Sequence, residues 1–152
     1  MTQLAAIDPG RSKCGLVLAD AERSLVLEAG VLPPLHCQTL LESWWASGCC
    51  QAVLLGDGTG SSSWAAWLAE RPPTLLLVPE AGTTLEARGR YWQLEPARGW
   101  RRLLPLGLRL PPRDVDDVVA QILVERHLGR ALSRRPGLQL LTATTAGSAV
   151  VA

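Results

Sequence analysis

"LAAIDPGRSKCGLVLAD", residues 4 to 20, is two apolar runs joined by a tight polar turn. The first run ends on Asp8, at the tip of what reads as a buried strand. An unpaired charge there costs several kcal/mol unless something compensates it. The pattern on both sides of this stretch therefore has to supply a partner for Asp8.

Residues 3–8 and 14–20 read as strands around the "PGRSK" turn, and 24–31 ("SLVLEAGV") as a third after "AERS". Three successive strands predict an antiparallel meander. Pro33 and Pro34 break it. Leu40, Leu41, Trp44 and Trp45 then recur at helical spacing over 37–47. "QAVLLGD" (51–57) is a continuous apolar run, as in a strand buried on both faces. A helix is expected over 62–71, and "TLLLVPE" (74–80) repeats the apolar strand that ends in an acid. A further helix spans 83–93, where Thr83 and Glu86 have capping-box spacing. Residues 94–113 read as an extended loop, 114–128 as the clearest helix, and 136–152 as a flexible tail after a domain of residues 1–135. The order predicts a mixed α/β sheet of five strands, antiparallel on one side and parallel on the other, flanked by helices.

The chain of 152 residues, 47% of them hydrophobic, is long enough for one domain with a real core. It has no apolar run of the ~20 residues that a membrane helix needs, and no basic-then-apolar leader, so a cytoplasmic location and no membrane partner are expected. Cys14, Cys37, Cys49 and Cys50 lack C-x-x-C spacing and read as reduced, mostly buried thiols without a metal role. The net charge of +1 announces nothing, but its distribution does. Residues 88–113 carry seven arginines (88, 90, 98, 101, 102, 109 and 113) against one acid, Glu95, and Lys13 is the sole lysine. Arginine suits bidentate phosphate contacts and stacking.

Asp8 and Glu80 both follow apolar strands, and with the first strand central both would emerge at one sheet edge. In the last helix Val115, Val118, Val119, Ile122 and Leu123 form a stripe. Asp116 falls at its margin, Asp117 points away from it, and Asp114 fits an N-cap. Three converging carboxylates would raise one another's pKa values unless divalent cations lay between them. Oxygen ligands suit Mg²⁺ or Mn²⁺, and two such ions roughly 3.5–4 Å apart serve phosphodiester hydrolysis. Singly, each acid has a plainer reading: Asp8 as a turn residue, Glu80 as a solvated strand end. "GDGTG" (56–60) reads equally as a phosphate cradle or a tight turn.

Taken together, "AIDPGRSKCGLVLAD", "VLLGDGTG", "PEAGTTLEA" and "DDVVAQILVERHL" resemble, in order and spacing over residues 1 to about 130, the YqgF/RuvX family. These are Holliday-junction-resolvase-like proteins of ribonuclease H-like fold, and "EARGRYWQ…GWRRLLP…LRLPP" resembles the cyanobacterial variant. The resemblance implies a metal-dependent nuclease of precursor 16S rRNA 5′ ends or of Holliday junctions, acting as a monomer or homodimer. It implies Asp8, Glu80 and Asp116 as catalytic and metal-binding acids. Arg11, Lys13, Arg88, Arg90, Arg101 and Arg102 are expected to contact nucleic acid, with Trp92 or Trp100 stacking. The chain departs from the family's "DER" motif at Pro79 and Ala81. A nucleic-acid-binding domain without catalysis is the alternative those departures favour. An actin-like ATPase would need two such domains, and this chain has one.

Overall fold

A computed structural model describes residues 3–58 and 60–144. The meander forms as the apolar runs dictate: β1 (Gln3–Asp8), β2 (Cys14–Asp20) and β3 (Leu25–Leu32), each antiparallel to the next. β4 (Ala52–Gly56) lies parallel to β1 on its other side, and β5 (Thr74–Val78) parallel to β4. A two-residue β6 (Ser133–Arg134) adds to β3, so the sheet order among the described residues is β5-β4-β1-β2-β3-β6. The mixed α/β sheet is as expected, with a sixth short strand, and it is compatible with a ribonuclease H-like fold.

Side chains of β1 alternate between two cores. Ala5 and Ile7 join Leu16, Leu41, Val53 and Leu68, under α1 (Pro34–Ala46) and α2 (Ser61–Ala69). Leu4 and Ala6 join Val17, Leu54, Ala120 and Leu123, under α4 (Asp116–Leu128). α3 (Thr83–Leu94) does not reach the sheet core; its Ala87, Tyr91 and Trp92 pack on Val118, Val119 and Ile122 of α4. Full burial of each large apolar side chain contributes about 1.5–3 kcal/mol, which fixes the sandwich around β1.

Several boundaries differ from the sequence reading. α1 begins at Pro34, because proline at the first helical position has no hydrogen bond to lose. The capping box does not form: Gly82, at φ 76°, caps α3, Thr83 donates to the Glu80 carbonyl at 2.7 Å, and Glu86 is taken by Arg126. Asp114 does not cap α4; Val115 holds that position, and Asp114 pairs with Lys13 instead. Residues 94–113 contain two 3₁₀ turns, Gly99–Leu103 and Leu106–Leu108, braced by Arg109 donating to the Leu104 and Arg102 carbonyls at 2.9 and 3.1 Å. The segment after 136 is not a free tail as far as it is described. Leu138 and Leu140 pack against the α4-side core, and Leu141 bridges Gly30. The rest of the expected tail, 145–152, lies outside the described residues. Among the described residues no helix is long and apolar enough to cross a membrane.

Candidate functional site

Asp8 closes the central strand β1, and directly opposite it on β2 stands Gly15. A Cβ on Gly15 would overlap the Asp116 carbonyl. Its absence lets the first turn of α4 rest on β2, which brings the Asp116 side chain within hydrogen-bonding reach of Asp8. Burial, and then the neighbouring charges of Asp116 and Glu80, push Asp8 up to about 7. Burial also raises Asp116, opposed by the charge of Lys13.

β4 and β5 end on the same edge, since Leu55 pairs with Ile7 and Gly56 with Val78. Glu80 lies two residues beyond β5 rather than at its tip, because Pro79 has no N–H to extend the ladder. The Glu80 carboxylate lies on the backbone of Gly56 and Gly58, where a Cβ at either glycine would overlap it. The two glycines of "GDG" thus form a seat for a carboxylate. Burial raises Glu80, against a hydrogen bond from the Gly58 N–H. Its Oε2 is buried without a hydrogen-bond partner.

A fourth acid belongs here. Asp57 directly follows β4, and its Oδ1 accepts the Glu80 N–H at 3.1 Å. The sequence pattern does not single it out, although, like Asp8, it stands at the end of an apolar run. Each of the strands β1, β4 and β5 therefore has a carboxylate at its end or within two residues beyond it. The Glu80 loop is also held from α4. Arg126 donates to the Pro79 and Ala81 carbonyls at 2.8 and 3.0 Å and pairs with Glu86 at 2.8 Å.

Asp117 corrects the helical-wheel expectation. It does not point away but is fully buried, bound by Arg113 at 2.8 Å and Arg134 at 2.9 Å. Asp116 keeps partial exposure and faces Asp8. Of the expected nucleic-acid contacts, Arg11, Arg88 and Arg102 are exposed, and Arg101 lies 4.9 Å from the Trp100 ring. Lys13 is spoken for by Asp114. Arg90 is committed to the fold, bonding Glu125 at 2.8 Å and the Leu132 carbonyl at 2.7 Å, so it has little left for phosphate. Trp92 is buried and donates to the Arg109 carbonyl, which removes it as a stacking platform; Trp100 is 64% exposed.

The acid cluster has a measurable cost without a counter-ion. The folded Asp8 holds its proton up to about pH 7, whereas an unfolded one releases it near pH 4. Between those values the native state binds more protons, so stability is greatest below the unfolded pKa and falls as pH rises toward 7. Urea unfolding in EDTA is expected to show this decline, at most about 1.4 kcal/mol per pH unit per proton held. Asp8→Asn is expected to flatten it, and equal slopes in the two proteins would refute the assignment.

The donor set is all oxygen, partly buried and short of positive charge, which suits a hard divalent cation. As the side chains stand, no three acid, imidazole or thiol groups among the described residues are gathered closely enough to hold one ion. Asp8 and Asp116 touch, while Glu80 is turned onto its glycine seat. Comparison with known families finds no matching family model, and comparison with curated proteins finds no match.

Proposed function

We propose that the chain is a divalent-metal-dependent nuclease domain acting on structured nucleic acid, either precursor ribosomal RNA ends or branched DNA. The observation that carries this reading is a charge deficit at one sheet edge. Asp8 is raised to about 7 beside Asp116 and Glu80, and Glu80 Oε2 is buried with nothing to bond. Asp8, Asp116 and Glu80 would hold Mg²⁺ or Mn²⁺, with Glu80 swinging toward the Asp8–Asp116 pair while the Gly58 N–H keeps its carboxylate oriented. Bound there, the metal supplies activation of water and stabilisation of the leaving oxygen of a phosphodiester. The exposed Arg88, Arg98 and Arg102, with the half-buried Arg101 over the Trp100 ring, are the chain's own means of gripping a phosphate backbone, and the exposed Arg11 in the β1–β2 turn offers a further cation. Trp100 is the aromatic left free to stack on an unpaired base.

A second reading is a nucleic-acid-binding domain without catalysis. The separation of Glu80 from the Asp8–Asp116 pair favours it. One experiment separates the two: Mn²⁺-dependent thermal melting of wild type and Asp8→Asn, beside cleavage of a panel of labelled RNAs and junctions. A metal that binds only the folded protein at a hundredfold excess over Kd adds about 2.7 kcal/mol. Wild type is expected to melt higher with Mn²⁺ and to cut; Asp8→Asn is expected to gain far less and not to cut. Identical Mn²⁺ responses would remove the metal site, and binding without cleavage would favour the second reading.

A further inference from the structure

The end of α3 and the loop that leads into α4 enclose a cleft of about 350 Å³ that the proposed chemistry does not use. Small-molecule sites span roughly 300–1,000 Å³, so the cleft is large enough to hold one planar ring system. Tyr91 and Trp92 line it from α3, their rings packed edge to face at 4.8 Å, and Leu94 and Pro112 extend the apolar wall. Both aromatic residues are almost wholly buried, so they supply a floor and not a free stacking face.

Three charged side chains, Glu95, Arg98 and Arg101, also line the cleft. Glu95 is 43% exposed yet fixed in place: the Tyr91 hydroxyl donates to its Oε2 at 2.9 Å, and Arg113 donates to its Oε1 at 2.6 Å. Burial would raise its carboxyl, but the bonds from Arg113 and Tyr91 hold it below the ordinary range. Ionised, it can only accept hydrogen bonds, and each oxygen keeps acceptor capacity for a ligand. Arg98 is exposed and Arg101 half-buried. Unlike Arg90, Arg109 and Arg113, neither donates a side-chain hydrogen bond to the protein among the described residues. An anion at the cleft would meet two guanidinium groups with donors to spare.

We propose that this cleft takes one unpaired guanine of a nucleic-acid strand, with its 5′-phosphate on Arg98 and Arg101; the proposal rests on the nucleic-acid reading above. The base is identified by its donors. A carboxylate with both oxygens available matches two adjacent N–H groups, and guanine alone carries them on its pairing edge, at N1 and N2. Adenine and cytosine place a ring-nitrogen acceptor beside their amino group, which would face the carboxylate lone pair to lone pair. Uracil and thymine offer one N–H between two carbonyls. The apolar floor takes the ring, and an arginine plane can stack on a base as well as bond its phosphate. The cleft is also tied to the acid edge. Arg113, which holds Glu95, holds Asp117 at 2.8 Å, and Asp117 is next in the chain to Asp116. A guanine seated here would fix the register of the strand with respect to the acids.

The test is run in EDTA, so it does not depend on the acid edge holding a metal. Isothermal titration compares GMP with AMP, CMP and UMP, and compares short single-stranded RNAs that differ only in one central base. Guanine is expected to bind at least about fivefold more tightly in both series, the lower end of what bidentate readout of one base supplies. Glu95→Gln is expected to erase that preference and to leave the affinity for the adenine-containing RNA in place, with a thermal melt to check that it is folded. Arg98→Ala removes an exposed side chain, so it tests the cleft even where Glu95→Gln unfolds; it is expected to weaken GMP but not guanosine. Equal affinity for the four nucleotides, with RNA bound alike whatever its central base, would overturn the guanine site and leave the nuclease reading standing. A preference for GMP without one among the RNAs would overturn the assignment to a strand. No RNA binding at all would overturn the nucleic-acid reading itself.

Discussion

Asp117→Asn is expected to cost this protein about 3–5 kcal/mol, the range for breaking a buried pair from one side. Asp117 has no exposed surface, and the guanidinium groups it binds, those of Arg113 and Arg134, are only 23% and 13% exposed. Arg113 keeps Glu95 at 2.6 Å, but Arg134 would keep only Gln121, at 2.9 Å. A cation in that position would have little water and only the less direct charge of Glu95 to balance it. Urea unfolding at neutral pH measures the loss, and a cost below about 1 kcal/mol would mean that the cluster is not held as described. The adjacent change, Asp116→Asn, serves as the contrast. Asp116 lies among like charges, so its neutralisation is expected to leave metal-free stability unchanged or higher. Two neighbouring aspartates on one helix thus separate into a structural acid and a site acid by a single denaturation series.

Gly58→Ala is expected to do the reverse, sparing stability while removing the metal response. Gly58 does not have a positive φ, so alanine is compatible with its backbone. The added Cβ would overlap Glu80 Oε1 and Cδ, the far end of a flexible side chain that can swing clear. The cost to folding is then small, and the carboxylate loses its seat and the Gly58 N–H. Losses of about 10–100-fold in metal affinity accompany removal of groups that orient a ligand. Isothermal titration with Mn²⁺ beside a thermal melt reads both quantities. Unchanged Mn²⁺ affinity would show that Glu80 binds no metal from this seat. Activity lost together with folding would contradict the small clash described.

Much of this site was legible in the linear chain because it depends on strand ends. Asp8 and Glu80 follow runs whose apolar content demands burial, and the register of parallel strands then brings their ends to one edge. Asp116 was legible from its place at the margin of an apolar stripe. Asp117 was not, because a wheel drawn from apolar residues has no place for a carboxylate neutralised from elsewhere. Its partners are Arg113, at ion-pair spacing four positions earlier but before the helix begins, and Arg134, 17 positions on, whose spacing announces nothing. α4 is buried continuously from Asp117 to Val124, so no single stripe describes it. The arginine-rich segment misled for a related reason. Arg90, expected to contact nucleic acid, is consumed by Glu125, and Arg109, one of the seven arginines of the segment, is held by backbone carbonyls of its own loop. Charge runs report how many cations a segment has; the fold decides how many remain for a ligand.

The clamp that Arg126 places on the Glu80 loop bears on how this chain can drift in evolution. Its two bonds reach carbonyl oxygens at positions 79 and 81, which every amino acid possesses, and not the side chains there. Holding Glu80 over its glycines therefore does not depend on any particular side chain at 81. The constraint lies 45 residues further along the chain, on the last turn of α4. The side chain at 81 can change without loosening the clamp for as long as residue 126 stays arginine.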